Sequence, residues 1–251
     1  MGLHMHNLGQ TRTVRKRDHL LQTPDAFVRT PMPGIHRGVA IVHVSPAIRA
    51  GFTQYTAELE PSGTIDSGPA QRFVFVLSGA IELSGVQSDA LEAGRYAYIP
   101  ADSDCEMTAR QGSRVVVIEK PYRPIAEAGA PRLFLGDEAS AGSTPLSGDD
   151  SLQVQALLPN EAAFDFAVNI MTYEPGAALS QVEMHVMEHG LLMLEGGGIY
   201  RLGDCWYPVT AGDFIWMAPY CPQWFGALGK RPAKYLIYKD WNRDPGSRRA
   251  G

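Results

Sequence analysis

The sequence predicts an all-β protein of two tandem jelly-roll barrels preceded by an N-terminal arm. Its 251 residues include 26 Gly and 18 Pro, and 45% of the residues are hydrophobic. This mixture is typical of many short strands joined by tight turns, and no convincing helical stripe accompanies it. A chain of this length can bury the cores of two small domains.

A repeat within the chain is the second observation behind this fold class. Four landmarks of the first half recur in the same order in the second half, with an offset that stays between 114 and 119 residues. Agreement at four ordered positions indicates one structural unit present twice. The paired landmarks are two alternating stretches, 52–59 and 166–173; the Glu-Pro steps that follow, 60–61 and 174–175; FVFVLSG at 73–79 and GLLMLEG at 190–196; and LEAGRYAYIP at 91–100 and VTAGDFIWMAP at 209–219.

The same repeat sets the domain boundaries that we predict. Residues 1–37 form a polar arm that contains several prolines, and we expect the arm to lie across a barrel or a neighbouring subunit. The first barrel spans 38–120, and the second spans 151–245. Between them, 121–150 is rich in Ala, Gly, Pro and Ser and is interpreted as a linker.

Charge and hydropathy exclude several classes of partner. The formal net charge is −5 and the basic residues are scattered, so we expect no nucleic-acid partner. No apolar run approaches the ~18 residues that span a bilayer, and the start lacks the apolar core of a secretory signal. The sequence therefore predicts a cytoplasmic protein without a membrane partner.

Candidate metal ligands lie just before the second GLLMLEG-type strand. Glu183 and His185 are separated by one residue, so on a strand they point to the same face. His189 follows on or near the next strand. The seven histidines of the chain include only these two after His43, which favours ligands over isolated core histidines.

The spacing E-x-H-x3-H-x6-G resembles the first motif of the cupin superfamily, with the first His and the Glu exchanged. The second cupin motif is matched loosely by Gly212, Pro219 and Gln223, and Gln223 stands where that family usually has its last His. Two imidazoles, a carboxylate and a carboxamide oxygen suit Mn²⁺ or another divalent ion that tolerates octahedral geometry. They disfavour the closed tetrahedral site of structural zinc.

Other chemistry-bearing residues receive structural interpretations. The matching stretch of the first barrel offers Asp66, Gln71 and Arg72 but no His, so we expect that barrel to be structural and without metal. Glu188, next to His189, is interpreted as a solvent or interface carboxylate. The three cysteines are odd in number and lack CxxC spacing, which indicates reduced thiols. A thiolate at Cys221 does not suit the hard-donor site.

Over nearly its whole length the chain resembles the (S)-ureidoglycine aminohydrolases, a family of bicupin enzymes of purine catabolism. The resemblance is carried by DHLLQTPDAFVRTPMPG at 18–34, QVEMHVMEHG at 181–190, GDFIWMAPYCPQWFG at 212–226 and YLIYKDWNRD at 235–244. It implies hydrolytic release of ammonia from (S)-ureidoglycine to give (S)-ureidoglycolate, with one Mn²⁺ in the C-terminal barrel. It also implies substrate contacts from Tyr200, Tyr235 and Lys239, and a homo-oligomer.

Physical roles follow for a small anionic substrate. A cation holds the substrate carboxylate and a Lewis acid polarises the reacting centre, tasks that suit Lys239 and the metal. Lys239, with Tyr200 and Tyr235, either anchors the carboxylate or relays a proton, and the sequence leaves both roles open. Two other functions also stay open: another cupin enzyme, an oxygenase or decarboxylase, and a non-catalytic bicupin that binds a small molecule.

Overall fold

The computed structural model describes residues 11–86 and 90–240. The first ten residues and the end of the YLIYKDWNRD motif and of the predicted second barrel lie outside the described residues. The first half contains short 3₁₀ turns at Pro24–Ala26, Pro46–Ile48 and Glu138–Ser140, and the strands β1 (Val14–Arg15), β2 (His19–Gln22), β3 (Arg29–Thr30), β4 (Ile35–Val44), β5 (Thr53–Ile65), β6 (Gln71–Ser78), β7 (Ala80–Leu83), β8 (Leu91–Glu92), β9 (Arg95–Ile99), β10 (Met107–Ala109), β11 (Ser113–Lys120) and β12 (Phe134–Asp137).

Up to residue 240, where the described part of the chain ends, the second half contains strands and no helix. They are β13 (Ser143–Leu146), β14 (Asp149–Ala156), β15 (Ala167–Tyr173), β16 (His189–Glu195), β17 (Gly197–Leu202), β18 (Cys205–Thr210), β19 (Phe214–Met217), β20 (Gln223–Ala227) and β21 (Ala233–Lys239). The predicted all-β class is confirmed. Among the described residues, no helix has the length and hydropathy needed to cross a membrane.

The chain divides into two compact units, which we name by the sequence repeat that each contains. The first-repeat unit comprises residues 28–86, 90–144, 155–169 and 238–240. The second-repeat unit comprises residues 11–27, 145–154 and 170–237. The described part of the arm up to residue 27 therefore clusters with the second repeat.

The two units contain the same strand order. In the first-repeat unit the sheet includes β12-β9-β6-β11-β5, and β4 also pairs with β5. In the second-repeat unit the corresponding order is β2-β19-β16-β21-β15-β14. The remaining strands also correspond, since β8-β7-β10 in one unit matches β18-β17-β20 in the other. The internal sequence repeat is thus a structural repeat.

Turn glycines explain why the landmarks recur. Gly79 and Gly196 follow the equivalent strands β6 and β16 with φ of +83° and +65°, and Gly94 and Gly212 precede the equivalent strands β9 and β19 with φ of +84° and +91°. These left-handed conformations are readily adopted by glycine because it has no Cβ. The residue type is therefore needed at the same places in both units.

Two strands that flank the repeats come from segments without an obvious strand pattern. Leu135 in β12 pairs with Ala97, so the 121–150 segment contributes a strand beside β9. Leu21 in β2 pairs with Ile215, so the arm contributes the equivalent strand beside β19. Both added strands pair with what would otherwise be an open sheet edge.

Each unit has its own apolar core made by the inward-facing residues of its strands. The second-repeat core includes Leu191, Met193, Ile215, Met217 and Phe225. Because these residues alternate with outward-facing ones on β16 and β19, the predicted ligand His189 begins a strand that lines the same interior.

Candidate metal centre

The backbone brings Glu183 and Gln223 together. The Glu183 amide donates to the Gln223 carbonyl at 2.8 Å, and the Gln223 amide donates to the Glu183 carbonyl at 2.9 Å. This reciprocal pair forms an isolated antiparallel bridge. Two of the four predicted ligands, from separate stretches of the chain, are therefore adjacent residues in space.

His185 lies beside the same bridge. Its Nε2 is 3.1 Å from Glu183 Oε2, and both side chains are 32% exposed. The His185 carbonyl accepts from the Tyr220 amide at 2.6 Å, which fixes this turn against the segment before Gln223. The sequence predicted these two residues on a strand, but the structure has only the isolated bridge at Glu183 between β15 and β16, and His185 lies outside any strand. The side-chain contact places the two candidate ligands together, and their role as ligands stays a prediction.

His189 completes the predicted set from the first residue of β16. It is buried, and its ring centroid lies 5.4 Å from that of His185 with an interplanar angle of 80°. Among the described residues, the carboxylate and imidazole ligand atoms of Glu183, His185 and His189 do not form a group within 4.8 Å of one another. Side-chain rotation would therefore be needed to close the three around an ion.

The chemistry of these donors fits a hard or borderline divalent ion. A carboxylate, two imidazoles and a carboxamide oxygen together carry one negative charge. Such a set of nitrogen and oxygen donors suits Mn²⁺, whereas structural zinc sites typically include thiolates. The carboxamide Oε1 of Gln223 accepts a hydrogen bond from the buried Tyr200 hydroxyl at 3.3 Å. Such a bond orients the carboxamide oxygen towards a defined direction.

Buried tyrosines of the same unit form further hydrogen bonds. The hydroxyls of Tyr173 and Tyr235 lie 2.8 Å apart, and the Tyr235 hydroxyl also donates to Met171 Sδ at 3.4 Å. Tyr200 and Tyr235 were predicted to be site residues, whereas Tyr173 was not. The only sequence signal for Tyr173 was its place at the end of an alternating stretch.

Burial sets the protonation state of these tyrosines. Desolvation is the largest cause that raises the pKa of Tyr200 and Tyr235 well above the usual value, and the Glu183 carboxylate raises both further. The pKa of Tyr173 is raised for the same first reason. The phenols therefore remain protonated near neutral pH and act as hydrogen-bond donors. The electrostatic influence of Glu183 on all three indicates that they share its surroundings.

Lys239 lies at the end of β21 and belongs to the first-repeat unit. With the Asn169 amide oriented to satisfy its neighbours, the Asn169 oxygen accepts from Lys239 Nζ at 3.3 Å and the amide nitrogen donates to the Val168 carbonyl. Strand alternation puts Lys239 on the same face of β21 as Tyr235. Its role at the candidate centre stays a prediction.

Glu188 corrects one expectation. It is 4% exposed, and its Oε2 accepts from the indole nitrogen of Trp216 at 3.0 Å. The interpretation of Glu188 as a solvent or interface carboxylate is therefore wrong, because the side chain does not reach the surface. The indole N–H supplies one hydrogen bond to this carboxylate within the fold, and this partner on β19 could not be read from the local sequence.

The equivalent place in the first-repeat unit holds an ion pair. Arg72 Nε lies 2.8 Å from Glu119 Oε1, and the Tyr55 hydroxyl donates to the same oxygen at 3.0 Å. Arg72 also donates from Nη1 to the Asp66 carbonyl at 2.5 Å. A guanidinium that is itself cationic, paired with the nearby carboxylate, gives this position a structural role.

Known proteins are similar to this chain over most of its length. A family model described as a cupin domain matches residues 169–238. A protein of Oryza sativa subsp. japonica named probable (S)-ureidoglycine aminohydrolase is 42% identical over 96% of this chain and 79% of its own length. The (S)-ureidoglycine aminohydrolase of Escherichia coli K12 is 31% identical over 94% of each chain.

A solved structure is also similar to this chain. The crystal structure of protein Ylba from E. coli superposes with a TM-score of 0.82 at 30% identity, and the match covers 96% of this chain and 98% of that one. Together with the cupin match to the second repeat, the predicted fold class of two tandem cupin barrels is confirmed. The homo-oligomer and the cytoplasmic location stay predictions.

Proposed function

Because this chain belongs to the (S)-ureidoglycine aminohydrolase family, as its motifs predict, we propose that it releases ammonia from (S)-ureidoglycine and forms (S)-ureidoglycolate with the help of Mn²⁺. This reaction would serve purine catabolism. The observation that carries the proposal is the bridge between Glu183 and Gln223, with His185 at 3.1 Å from the Glu183 carboxylate.

Four side chains of the second-repeat unit would hold the ion: Glu183, His185, His189 and Gln223. A bound Mn²⁺ would supply a Lewis acid that polarises the reacting centre and lowers the pKa of water. The carboxylate of Glu183 offsets part of the charge of the ion. The Tyr200 hydroxyl orients the carboxamide of Gln223, because it donates to the carboxamide oxygen.

Protein groups also prepare the site for a small anion. Burial raises the pKa of Tyr200 and Tyr235, so both stay neutral and add no negative charge that would repel the substrate carboxylate. Lys239 supplies the cation that pairs with this carboxylate or, in the other role, a proton. Lys239→Arg separates the two, since Arg keeps the charge but does not give up a proton.

The direct test is an ammonia assay on freshly made (S)-ureidoglycine with chelated protein, with and without added Mn²⁺. We expect Mn²⁺ to restore release in the wild type and not in His185→Ala, which loses one imidazole ligand. His36→Ala is the matched control, because His36 is an exposed histidine hydrogen-bonded to Asp66 in the other unit.

Lys239→Met should abolish ammonia release while the metal content stays at the wild-type level. Normal turnover by this variant would remove Lys239 from the mechanism. A wild-type protein that binds Mn²⁺ yet releases no ammonia above the spontaneous rate would overturn the proposed reaction. Oxygen uptake or decarboxylation would then favour another cupin enzyme, and binding alone would favour a non-catalytic bicupin.

A further inference from the structure

A second group of metal-ligand side chains lies in the second-repeat unit and contains none of the four candidate ligands of the proposed centre. Among the described residues, Asp18, His19 and Cys221 are the group whose ligand atoms all lie within 4.8 Å of one another. His19 is 2% exposed and Cys221 is 4% exposed, whereas the Asp18 side chain is 44% exposed. The group thus has two buried donors and one donor that solvent can reach.

Backbone pairing fixes the three residues relative to one another. His19 begins β2 and pairs in register with Met217 of β19. The Asp18 carbonyl accepts from the Ala218 amide at 2.9 Å, and the Cys221 amide donates to the Ala218 carbonyl at 3.1 Å. The arm and the turn after β19 are therefore both hydrogen-bonded to Ala218, which fixes the backbones of Asp18 and Cys221 relative to each other.

The imidazole of His19 has a defined orientation. Its Nε2 lies 2.9 Å from the Tyr207 hydroxyl, and its Nδ1 lies 3.0 Å from Asp18 Oδ1. Metal-binding histidines typically have their second ring nitrogen held by such an oxygen partner, which fixes the tautomer. The Tyr207 hydroxyl can accept from Nε2–H, which leaves the Nδ1 lone pair for an ion on the Asp18 side.

A glycine keeps space open beside the carboxylate. Gly203 has φ of +58°, and a Cβ at this position would lie 3.0 Å from Asp18 Oδ2 and 3.9 Å from His19 Cε1. A larger residue would therefore be strained in its backbone and would crowd the carboxylate. The lack of a side chain at Gly203 therefore leaves the Asp18 carboxylate uncrowded on this side.

We propose that Asp18, His19 and Cys221 bind a second divalent ion of the zinc class. A carboxylate and a thiolate neutralise the two charges of the ion, and the thiolate with the imidazole favours Zn²⁺ or Co²⁺ over Mn²⁺. Around such an ion, with bonds of about 2.0 to 2.3 Å, tetrahedral ligand atoms lie roughly 3.5 Å apart. The ligand atoms of the three residues already lie within 4.8 Å of one another, and side-chain shifts would bring them to this value.

Binding of the ion would release one proton from the cluster. The thiol proton of Cys221 passes to solvent, and the sulfur binds the ion as a thiolate. The neutral imidazole of His19 carries its single proton on Nε2, which donates to the Tyr207 hydroxyl, and binds the ion through the Nδ1 lone pair, so the ring itself releases no proton. A water molecule takes the fourth position, and the arm is joined to the turn after β19 by the ion.

Cobalt provides a spectroscopic test that does not depend on ammonia release. Co²⁺ is added to the chelated full-length protein, and the near-ultraviolet thiolate-to-cobalt charge-transfer band is recorded. We expect the band in the wild type and its loss in Cys221→Ser. It should remain in Cys105→Ser, which changes a buried thiol of the other unit, and in His185→Ala, which removes a ligand of the proposed Mn²⁺ site.

The absence of this band from wild-type protein, or its survival in Cys221→Ser, would overturn the assignment. Loss of the band in Cys205→Ser alone would do the same, since it would place the metal on a different thiol. Should Cys221→Ser fail to fold by circular dichroism, Asp18→Asn replaces it. This change at a partly exposed carboxylate should weaken Zn²⁺ binding by about tenfold or more, and unchanged Zn²⁺ affinity would contradict the proposal.

Because His185→Ala separates the two sites, the outcomes are distinguishable from failure of the proposed enzyme activity. A chain with the cobalt band but without ammonia release would keep the second site and lose the proposed reaction. A chain with Mn²⁺-dependent ammonia release but without the band would do the reverse.

Discussion

Single polar side chains in this protein behave according to their burial and their partners. Tyr200 and Tyr235 are fully buried, and desolvation raises the pKa of both, which favours neutral phenols that donate hydrogen bonds. Glu188 is also buried, and it accepts from an indole. Their residue types alone would have suggested packing residues and a surface acid, respectively.

Burial also changes the pKa of His43, and this change makes the stability of the fold depend on pH. It is 3% exposed, its Nε2 lies 2.8 Å from Thr56 Oγ1, and desolvation, followed by the nearby Arg114 cation, lowers the pKa of His43 to about 3. An unfolded histidine has a pKa of about 6.5. Below that pH the unfolded chain binds a proton that the folded chain does not. The stabilisation is therefore fully present above about pH 6.5 and is lost as the pH falls towards 3.

We predict that the free energy of unfolding decreases between pH 7 and pH 5 by about 2 kcal/mol more in the wild type than in His43→Gln. Glutamine can still hydrogen-bond Thr56 but does not titrate. Urea unfolding at both pH values measures the difference. Val28→Gln provides the control, because Val28 is exposed and does not titrate, so this variant should keep the wild-type pH dependence. An equal pH dependence in His43→Gln and the wild type would show that His43 is protonated in the folded state.

At the level of strands, the arm provides an edge strand to the second repeat. β2 pairs with β19 in the position that β12 takes beside β9 in the other unit. A charged contact reinforces this pairing. Arg12 donates to both carboxylate oxygens of Asp213, at 2.6 and 2.9 Å, and Asp213 is 0% exposed.

We predict that Arg12→Ala lowers the unfolding free energy of the second-repeat unit by about 1 to 3 kcal/mol, because a buried carboxylate loses two charge-assisted hydrogen bonds. The Thr210 amide still donates to Asp213, which limits the loss. Urea unfolding monitored by tryptophan fluorescence measures it. Arg110→Ala is the control, since its partner Glu82 is 45% exposed and the pair should contribute no more than about 1 kcal/mol. Equal effects of the two substitutions would argue against a stabilising role of the arm.

At the level of the whole chain, three distant segments meet in the first-repeat unit. Lys120 Nζ lies 3.3 Å from Asp165 Oδ2 and 2.9 Å from Asp240 Oδ1. Gln71 donates to Asp165 at 2.6 Å and accepts from the Tyr98 hydroxyl at 2.8 Å. Lys120, Asp165 and Gln71 are buried. The network joins the end of β11 to the segment before β15 and to the residue after Lys239.

Lys120→Met should destabilise this unit by about 3 to 5 kcal/mol, because Asp165 would remain buried without its cation. The substitution should also release Asp240, the residue after Lys239, from its ion pair. The position of Lys239 should then change, so ammonia release should fall. The measurements are urea unfolding and the ammonia assay. Lys234→Met is the matched control, since Lys234 pairs at 3.0 Å with the 65% exposed Glu195 and should cost no more than about 1 kcal/mol. A loss no larger than this control would show that the network contributes little.

The sequence by itself determined what depends on local spacing. Alternation and turn glycines predicted the strands, because side chains on a strand alternate with a period of two and glycine adopts a left-handed backbone readily. The internal repeat predicted two equivalent barrels. The one-residue spacing of Glu183 and His185 predicted a shared face, and their side chains are in contact.

The tertiary structure alone decided what depends on strand pairing between distant segments. The arm could not be assigned to the second repeat from its polar sequence, since its pairing with β19 is a long-range contact. The partners of Lys120, Glu188 and Cys221 are likewise far away in the chain. Local composition does not encode such partners, because register and topology, rather than the spacing of neighbouring residues, bring them within bonding distance.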